Sequence, residues 1–494
     1  MVGDRRGRGF ASAFFRGSDD RYEHAIFFTT GPEAKRPEGE ARRRFIMDGA
    51  GEIGPEGERV DIEPGSAFQR RVIRRITLRL IPFLMLCYVV AWLNRINLSF
   101  AALQMNKDLG LTAASYGFGA GIFFITYCLC EVPSNLLLHK FGARRWIARI
   151  MLSWGVCAVA MAFVRGPMSF YIMRLLLGAA EAGFYPGVLF FLTLWFPASQ
   201  RGRVMGLFIA AIPITGIIGA PLSGWLLSLD GLAGLRGWQW VYLVEGLPAI
   251  LLAPLVLIRI QDRPSEARWL PPKERDWLTT VLEREDIGLR QQRNPSVSKS
   301  LTDPWVLFMG VAYFTNVCML NGITFFLPTI VKGFGLTNVQ TGLVVAIPSI
   351  LALIALLWWG RHSDAKNERY GHAALANFIG GAALLLSMLL HDPVARLALV
   401  SIAFAGTLAF TAPFWAIPGS RLSGAASAGA IAAISAIGVC GGFIAPWVIG
   451  SVKEITGDFR LGLGGFATLG MVIALAFYLV GRFRAPLTPV SLAS

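Results

Sequence analysis

The feature that most constrains the fold is a series of apolar segments, each about 20 residues long, that runs through most of the chain. An α-helix rises about 1.5 Å per residue, so a segment of this length crosses the ~30 Å hydrocarbon core of a bilayer. Charged residues make up 16% of the chain, against about 25% in a typical soluble domain. The sequence therefore predicts an all-α membrane protein that crosses the bilayer many times.

The apolar segments number twelve and divide into two groups of six. A charged and polar stretch at 260–303 separates the sixth segment from the seventh. We predict transmembrane helices at 76–104, 115–138, 146–165, 168–194, 204–228, 239–259, 304–328, 339–359, 373–391, 395–418, 427–451 and 462–482. The predicted architecture is an N-terminal six-helix half at 71–259 and a C-terminal six-helix half at 304–482.

The segments outside the two halves are polar. Residues 1–70 are rich in arginine and lack the sustained apolar core of a signal peptide, so we expect a disordered N-terminal tail. Residues 483–494 form a short second tail. Within the linker at 260–303, the stretch from Pro272 to Arg284 has the pattern of a short amphipathic surface helix.

Arginine and lysine residues are concentrated in alternate loops. They precede the first span and follow the second, fourth and eighth, whereas the loops between these are poorer in positive charge. Because basic loops stay on the cytoplasmic side, we expect both chain termini there. The same distribution accounts for the net charge of +15, and no reader motif or aromatic–basic interleaving indicates a nucleic-acid partner.

The sequence contains no motif typical of an enzyme. Six cysteines all lie inside apolar spans, where the simplest interpretation is small core residues and not a metal site or disulfides. Paired metal ligands, nucleophile–base spacings and phosphate-binding loops are absent from the sequence. We therefore expect neither catalysis nor a cofactor.

The two halves of the chain are similar to each other. Span five contains Ile214 to Pro221 and span eleven contains Gly438 to Pro446, and each is the fifth helix of its half. Both stretches combine a proline with small residues, which permit close contact between helices. Two parallel six-helix repeats around a midplane site are the plan of many secondary transporters.

Several segments carry a more specific resemblance. They are Phe100 to Gly110 after span one, Gly119 to Tyr127 and Glu131 to Asn135 in span two, Phe141 to Trp146 after it, Arg174 to Gly187 in span four, and Trp238 to Trp240 with Glu245 to Pro248 in span six. Through them the chain resembles the major facilitator superfamily, and within it the anion:cation symporter family and its bacterial tartrate-type transporters. The resemblance extends over 75–482. It implies a monomeric transporter in the bacterial inner (cell) membrane, surrounded by lipid, that takes up a small organic anion with protons.

Charged residues inside apolar spans are the main candidates for function, because an ionisable side chain at bilayer depth costs at least ~2.5–3.5 kcal/mol. Arg174 and Glu181 share one face of span four, about 10 Å apart along the axis, so each needs a partner elsewhere. A guanidinium that faces a cavity suits a substrate carboxylate, and a desolvated Glu181 can take up a proton. The resemblance implies these two roles; a fixed interhelical ion pair is the alternative.

Arg95 lies late in span one and follows Asn94. It could extend to the outer interface, but the resemblance places an arginine here in the central cavity, as a second anion contact. The preceding position is usually aspartate in the family and serves in proton coupling there. Asn94 cannot titrate, so coupling rests on Glu181 alone, uses another ion, or is absent.

The resemblance also implies three further substrate contacts. These are Tyr127 in span two, Trp415 in span ten, and Ser435 in span eleven, where many relatives carry an asparagine. Asn316 and Asn321 in span seven could replace that amide. Packed core side chains and hydrogen bonds between helices are the alternative interpretations of these residues.

Another group of charged residues lies near the ends of spans. We predict gating roles for Glu131, Arg144, Arg361 and Asp364, which would close the cytoplasmic side through charge pairs that break on opening. Glu245 is predicted to be structural.

The expected function is import of a tartrate-like acid, a sugar acid or an aromatic acid by alternating access of the two halves. Two alternatives stay open. Gly216 to Gly224 in span five is loosely similar to an antiporter signature, which would indicate a proton-driven exporter of drugs or metabolites, although tight packing explains the same residues. The other alternative is a transporter-like receptor that binds a solute without moving it.

Overall fold

The computed structural model describes residues 67–291, 303–421 and 424–483. The predicted disordered tail lies outside the described residues except for 67–70, which are helical. Most of the predicted C-terminal tail and the last part of the linker also lie outside them.

The N-terminal half consists of eight α-helices. They are α1 (Ala67–Asp108), α2 (Ala113–Phe141), α3 (Ala143–Ala160), α4 (Pro167–Glu181), α5 (Phe184–Thr193), α6 (Ala198–Ile209), α7 (Ala211–Leu226) and α8 (Gly237–Arg259). Helices α4 and α5 together occupy the fourth predicted span, and α6 and α7 occupy the fifth.

In the linker and the C-terminal half, the described residues form seven more helices. They are α9 (Pro272–Gln291), α10 (Pro304–Lys332), α11 (Asn338–Lys366), α12 (Tyr370–Ser387), α13 (Pro393–Arg421), α14 (Gly424–Thr456) and α15 (Arg460–Phe483). The prediction of a short helix from Pro272 is confirmed by α9, which lies on the N-terminal half. Glu274 and Glu285 of α9 accept hydrogen bonds from Arg75 and Arg201, each at 3.0 Å.

Eleven helical stretches of the described residues are long and apolar enough to cross a membrane. They correspond to the predicted spans except 373–391, where the structure has α12. That helix is 18 residues long and contains His372 and Asn377, whose polar side chains lower its mean hydropathy. It packs against α13 and α15 within the C-terminal half.

Span four was predicted as one helix, but the structure interrupts it between α4 and α5. Gly183 has a φ of +87°, a left-handed conformation that strains any residue with a side chain. The interruption frees the carbonyl of Ala182, which accepts a hydrogen bond of 2.7 Å from the Ser134 hydroxyl. Trp146 Nε1 in turn donates to the Ser134 oxygen at 3.0 Å. Hydropathy did not reveal this break, because the residues on both sides of it are equally apolar.

The two halves meet closely at the end of the bundle opposite the loop between α2 and α3. Here α2 packs against α14, and α7 packs against α11; we call these two contacts the inter-half seam. A methyl group added at Gly117 would lie 2.1 Å from the Pro446 carbonyl oxygen, and one at Gly450 would lie 2.3 Å from that of Ala113. Small residues therefore let the backbones of the two halves touch at this end.

Candidate functional site

Arg95 of α1 and Glu181 at the end of α4 form an ion pair inside the N-terminal half. Arg95 Nη2 lies 3.3 Å from Glu181 Oε1, and the side chains are 16% and 5% exposed. The Arg95 guanidinium also stands 4.5 Å from the centroid of the Trp92 ring. Because α4 ends at Glu181, the break in span four fixes the place of this carboxylate.

Arg174 is close to this pair, but its donors are directed elsewhere. Its Nε donates to the carbonyl of Gly119 at 3.0 Å and its Nη2 to that of Ala120 at 2.9 Å. The residue is 2% exposed. In this conformation Arg174 Nε and Nη2 hold the backbone of α2, and a contact between Arg174 and a substrate stays a prediction.

The two arginines are nevertheless brought together, as the sequence predicted, around one aromatic ring. The guanidinium carbons of Arg174 and Arg95 lie 4.8 Å and 5.7 Å from the centroid of Phe123. Glu181 lies within electrostatic range of both cations. We call Arg95, Arg174, Glu181 and Phe123 the arginine cluster; two positive charges face one negative charge within it.

Several polar atoms at the arginine cluster have no hydrogen-bond partner among the described residues. They are Arg95 Nε, Asn94 Nδ2 and Glu181 Oε2. The Asn94 oxygen does accept a hydrogen bond of 3.3 Å from Asn97. A buried polar group without a partner costs about 1–3 kcal/mol, so these atoms are suited to a ligand or water that satisfies them.

Tyrosine side chains from both halves surround the arginine cluster. Tyr127, as predicted, lies within electrostatic range of Arg95 and Glu181. Sequence reasoning missed Tyr88, Tyr185 and Tyr313, which interact electrostatically with one another and with charged groups of the site. The sequence signal for these residues was a phenolic hydroxyl inside an apolar span, which is noticeable because the whole chain has only ten tyrosines.

The predicted contacts of the C-terminal half divide into two groups. Trp415 packs edge-on against Tyr313 with ring centroids 4.9 Å apart, and Tyr313 lies within electrostatic range of Arg95. Ser435 is half-buried on α14. Trp415 therefore contacts a residue, Tyr313, that is itself near the arginine cluster.

Asn316 does not belong with them in this conformation. Its Nδ2 donates to Asn377 Oδ1 and to the Thr407 carbonyl, both at 3.1 Å, and the residue is fully buried. Asn321 donates to the Val317 carbonyl one turn back at 3.0 Å. The Asn316 Nδ2 group thus joins α10 to α12 and α13, as in the alternative interpretation of a bond between helices, whereas its Oδ1 has no partner among the described residues; a substrate contact of Asn316 stays a prediction.

Three of the predicted gating residues, Arg144, Arg361 and Asp364, lie at one end of the bundle, and none of their hydrogen bonds or ion pairs among the described residues joins the two halves. The Arg144 amide donates to Asp262 Oδ1 at 2.8 Å, and Asp364 forms an ion pair with Arg369. Arg361 is exposed beside that pair. Glu131 lies deeper, within electrostatic range of Tyr185 and Tyr313.

Two other acidic residues lie away from the arginine cluster. Glu245 is fully buried, and its Oε1 accepts a hydrogen bond of 2.6 Å from Ser223, which links α8 to α7 in accord with the structural role predicted for it. Glu368 lies between α11 and α12, outside the spans. Burial raises the pKa of Glu368, but hydrogen bonds from Gly371 and His372 outweigh burial, so the pKa lies below its ordinary value.

Comparison with known proteins gives a consistent result. Residues 84–446 match the family described as the Major Facilitator Superfamily. A relative from Agrobacterium vitis, named as a candidate tartrate transporter, is 43% identical over 414 residues, which are 84% of this chain and 92% of the relative. A quinolone resistance transporter from Acinetobacter baumannii is also 43% identical, over 80% of this chain and 92% of its own. The xylose transporter XylE from E. coli shares the fold, with a TM-score of 0.66 at 14% identity over 83% of this chain and 98% of its own.

Proposed function

Because the chain belongs to the major facilitator superfamily, and is a membrane transporter and not an enzyme, we propose that it imports a small organic carboxylate together with protons. The observation that carries this proposal is the charge of the arginine cluster. Arg95 and Arg174 face Glu181 alone, and Asn94 adds no charge. A bound carboxylate can pair with Arg95 when a protonated Glu181 no longer does, so that this guanidinium is not left uncompensated at bilayer depth, where an unpaired charge is costly.

Arg95 is the proposed anion ligand. Its Nη2 is engaged by Glu181 at 3.3 Å, and its Nε has no partner among the described residues. A guanidinium can hold a carboxylate through two parallel hydrogen bonds. Tyr127, Trp415 and Ser435 are the proposed neighbours of the rest of the substrate. Arg174 acts on it indirectly, through the α2 backbone.

Proton coupling follows from competition for Arg95. An ionised Glu181 occupies the guanidinium that the substrate carboxylate needs. A proton on Glu181 weakens this ion pair, so the substrate binds Arg95 more readily when Glu181 is protonated. Substrate and proton therefore bind together, and movement of one down its gradient drives the other.

The finer architecture is also part of the proposal. We propose that the protein lies in the inner membrane of a bacterial cell, that α12 crosses this membrane as the ninth of twelve spans, and that both termini lie in the cytoplasm.

The proposal also includes the conformation of the protein. The inter-half seam lies at the end of the bundle away from the cytoplasm, and its close contact corresponds to a conformation that is open to the cytoplasm. Glu131, Arg144, Arg361 and Asp364 would exchange partners when the protein turns outward. The working unit is a monomer.

Export of drugs or metabolites is the second candidate function. One relative of equal identity is named as a quinolone resistance transporter, so similarity alone does not separate the two. The arginine cluster favours an anion, whereas a drug exporter that accepts cations needs a site with net negative charge. Net direction of transport under an imposed pH gradient distinguishes import from export.

Uptake by purified protein in proteoliposomes tests the proposed function. With acid outside, we expect a radiolabelled carboxylate to accumulate inside, and the Arg95→Ala variant to lose this accumulation. Arg165→Ala is the matched control, because Arg165 is exposed in the loop before α4. Accumulation by Arg95→Ala equal to that of the control would remove Arg95 from the mechanism.

A further inference from the structure

The arginine cluster and its surroundings carry an inference about the substrate that rests on the function proposed above. We propose that the preferred substrate has one carboxylate on an aromatic ring, and that it is not a polyhydroxylated dicarboxylate of the tartrate type. Three features lead to this conclusion: the number of available cations, the occupation of the amide side chains, and the aromatic rings around Arg95.

Of the two guanidinium groups in the site, that of Arg95 is the more open to a ligand. Arg174 is 2% exposed, and its Nε and Nη2 already donate to the carbonyls of Gly119 and Ala120. Arg95 retains an Nε without a partner among the described residues, and its side chain is 16% exposed. One carboxylate can thus be matched by Arg95, whereas the second carboxylate of a dicarboxylate would be desolvated without a cation.

Most of the amide groups that could recognise the hydroxyl groups of a substrate already donate hydrogen bonds within the protein. Asn316 donates to Asn377 and Thr407, and Asn321 donates to Val317. The amide oxygens of Asn316 and Asn97 have no partner among the described residues, and neither does the amide donor Asn94 Nδ2. Its place next to Arg95 suits the second oxygen of the same carboxylate. Other polar groups nearby include tyrosine hydroxyls and Trp92 Nε1, which has no partner among the described residues, and each of them brings an aromatic ring with its hydrogen bond.

Aromatic rings of the N-terminal half surround the place where a carboxylate would meet Arg95. The Trp92 ring lies 4.5 Å and the Phe124 ring 5.7 Å from the Arg95 guanidinium carbon. Tyr88 stacks on Tyr185 and on Phe208, with centroid distances of 5.6 Å and 4.4 Å. A planar ring can join such a stack, whereas the hydroxyl groups of a sugar acid would lose water there without replacement.

The C-terminal half supplies the opposing surface. Tyr313 and Trp415 meet edge-on at 4.9 Å, and Tyr313 is within electrostatic range of Arg95. A substrate whose carboxylate is on Arg95 would direct its ring toward this pair. We therefore assign Tyr313 and Trp415 as specificity-determining residues that select the aromatic ring and do not bind the charge.

Calorimetric binding to the purified full-length protein tests the inference, with nicotinate, cyclohexanecarboxylate and L-tartrate as probes. Nicotinate has an aromatic ring, cyclohexanecarboxylate has a saturated ring of similar size, and L-tartrate has two carboxylates and two hydroxyls. We expect nicotinate to bind at least about tenfold more tightly than either of the others, which corresponds to about 1.4 kcal/mol. The wild-type comparison needs no variant, so a misfolded mutant cannot obscure it.

Variants then locate the selectivity. Trp415→Leu should bring nicotinate and cyclohexanecarboxylate to similar affinities, whereas Trp225→Leu, at a largely exposed position of α7, should leave the ratio unchanged. Tighter binding of L-tartrate than of nicotinate would overturn the inference while leaving the proposed function intact. Failure of all three probes to bind would overturn both.

Discussion

Glu181 and Arg95 are the residue pair that, in the proposed mechanism, binds a proton and a substrate carboxylate. In the resting arrangement, each neutralises the other at 3.3 Å, which lowers the cost of two charges at bilayer depth. The pair is incomplete, because Glu181 Oε2 and Arg95 Nε lack partners among the described residues. A proton on Glu181 and a substrate carboxylate on Arg95 would together give both side chains a partner, and this is the residue-level basis of the proposed coupling.

Arg174 differs from Arg95 in that its hydrogen bonds hold the backbone of α2. Replacing it by alanine removes two charge-assisted hydrogen bonds to α2, and each is worth about 1.5–3 kcal/mol. We therefore expect Arg174→Ala to lower the thermal unfolding temperature as well as uptake, when unfolding is followed by intrinsic fluorescence. Arg165→Ala should change neither quantity. Loss of uptake with an unchanged unfolding temperature would indicate that Arg174 binds the substrate directly.

At the scale of elements, the break between α4 and α5 positions the Glu181 carboxylate. The Ser134 hydroxyl donates to the freed carbonyl of Ala182, and Trp146 Nε1 donates to Ser134 Oγ, so α2 and α3 hold the break in place. Discontinuous helices near the bilayer midplane occur at the sites of many transporters. The break here ends α4 at Glu181, the residue that we propose gains and loses a proton.

Gly183→Ala tests the importance of this break. The new Cβ would lie 2.3 Å from the Ser134 hydroxyl oxygen, and the φ of +87° costs a residue with a side chain about 1–2 kcal/mol. We expect uptake to fall at least tenfold, because relief of the clash displaces Glu181. Gly166→Ala is the control, since an added Cβ there meets no atom within 4 Å. Equal uptake by the two variants would contradict the role given to the break.

At the scale of the whole molecule, function requires the two halves to separate at the seam and close at the other end. Gly117, Gly224 and Gly342 allow backbone contact across the seam in the present conformation. Charged residues at the opposite end, such as Arg144, have partners within their own half. Both observations correspond to one of the two states that alternating access requires.

Gly117→Val should shift the balance between these states. A side chain at this position cannot coexist with the Pro446 carbonyl at 2.1 Å, so the seam should open and the other end close. Spin labels on Lys140 and Lys366, which are exposed on different halves, should show a shorter distance in this variant than in the wild type. Gly465→Val is the control, because nothing lies within 4 Å of a Cβ at Gly465. Identical distance distributions would contradict a rocking motion about this seam.

The sequence predicted eleven of the spans found among the described residues, and it placed Arg95, Arg174 and Glu181 inside them, since an ionisable group in an apolar helix has few alternatives to a shared polar site. It did not predict which carboxylate or carbonyl each arginine would contact, because hydrogen-bond partners depend on the rotation of each helix. Asn316 illustrates the same limit: polarity in an apolar span does not indicate whether the amide faces a substrate or another helix. The tyrosines were overlooked because hydropathy counts their rings with the core.

The central claim is that substrate binding to Arg95 accompanies protonation of Glu181, and the number of protons taken up on binding measures it directly. Titration calorimetry of a bound carboxylate in buffers of different ionisation enthalpy yields this number. The account predicts uptake of about one proton per ligand by the wild type and none by Glu181→Gln, with Glu266→Gln, at an exposed position, behaving as the wild type. Binding to the wild type without proton uptake, or unchanged uptake in Glu181→Gln, would contradict it.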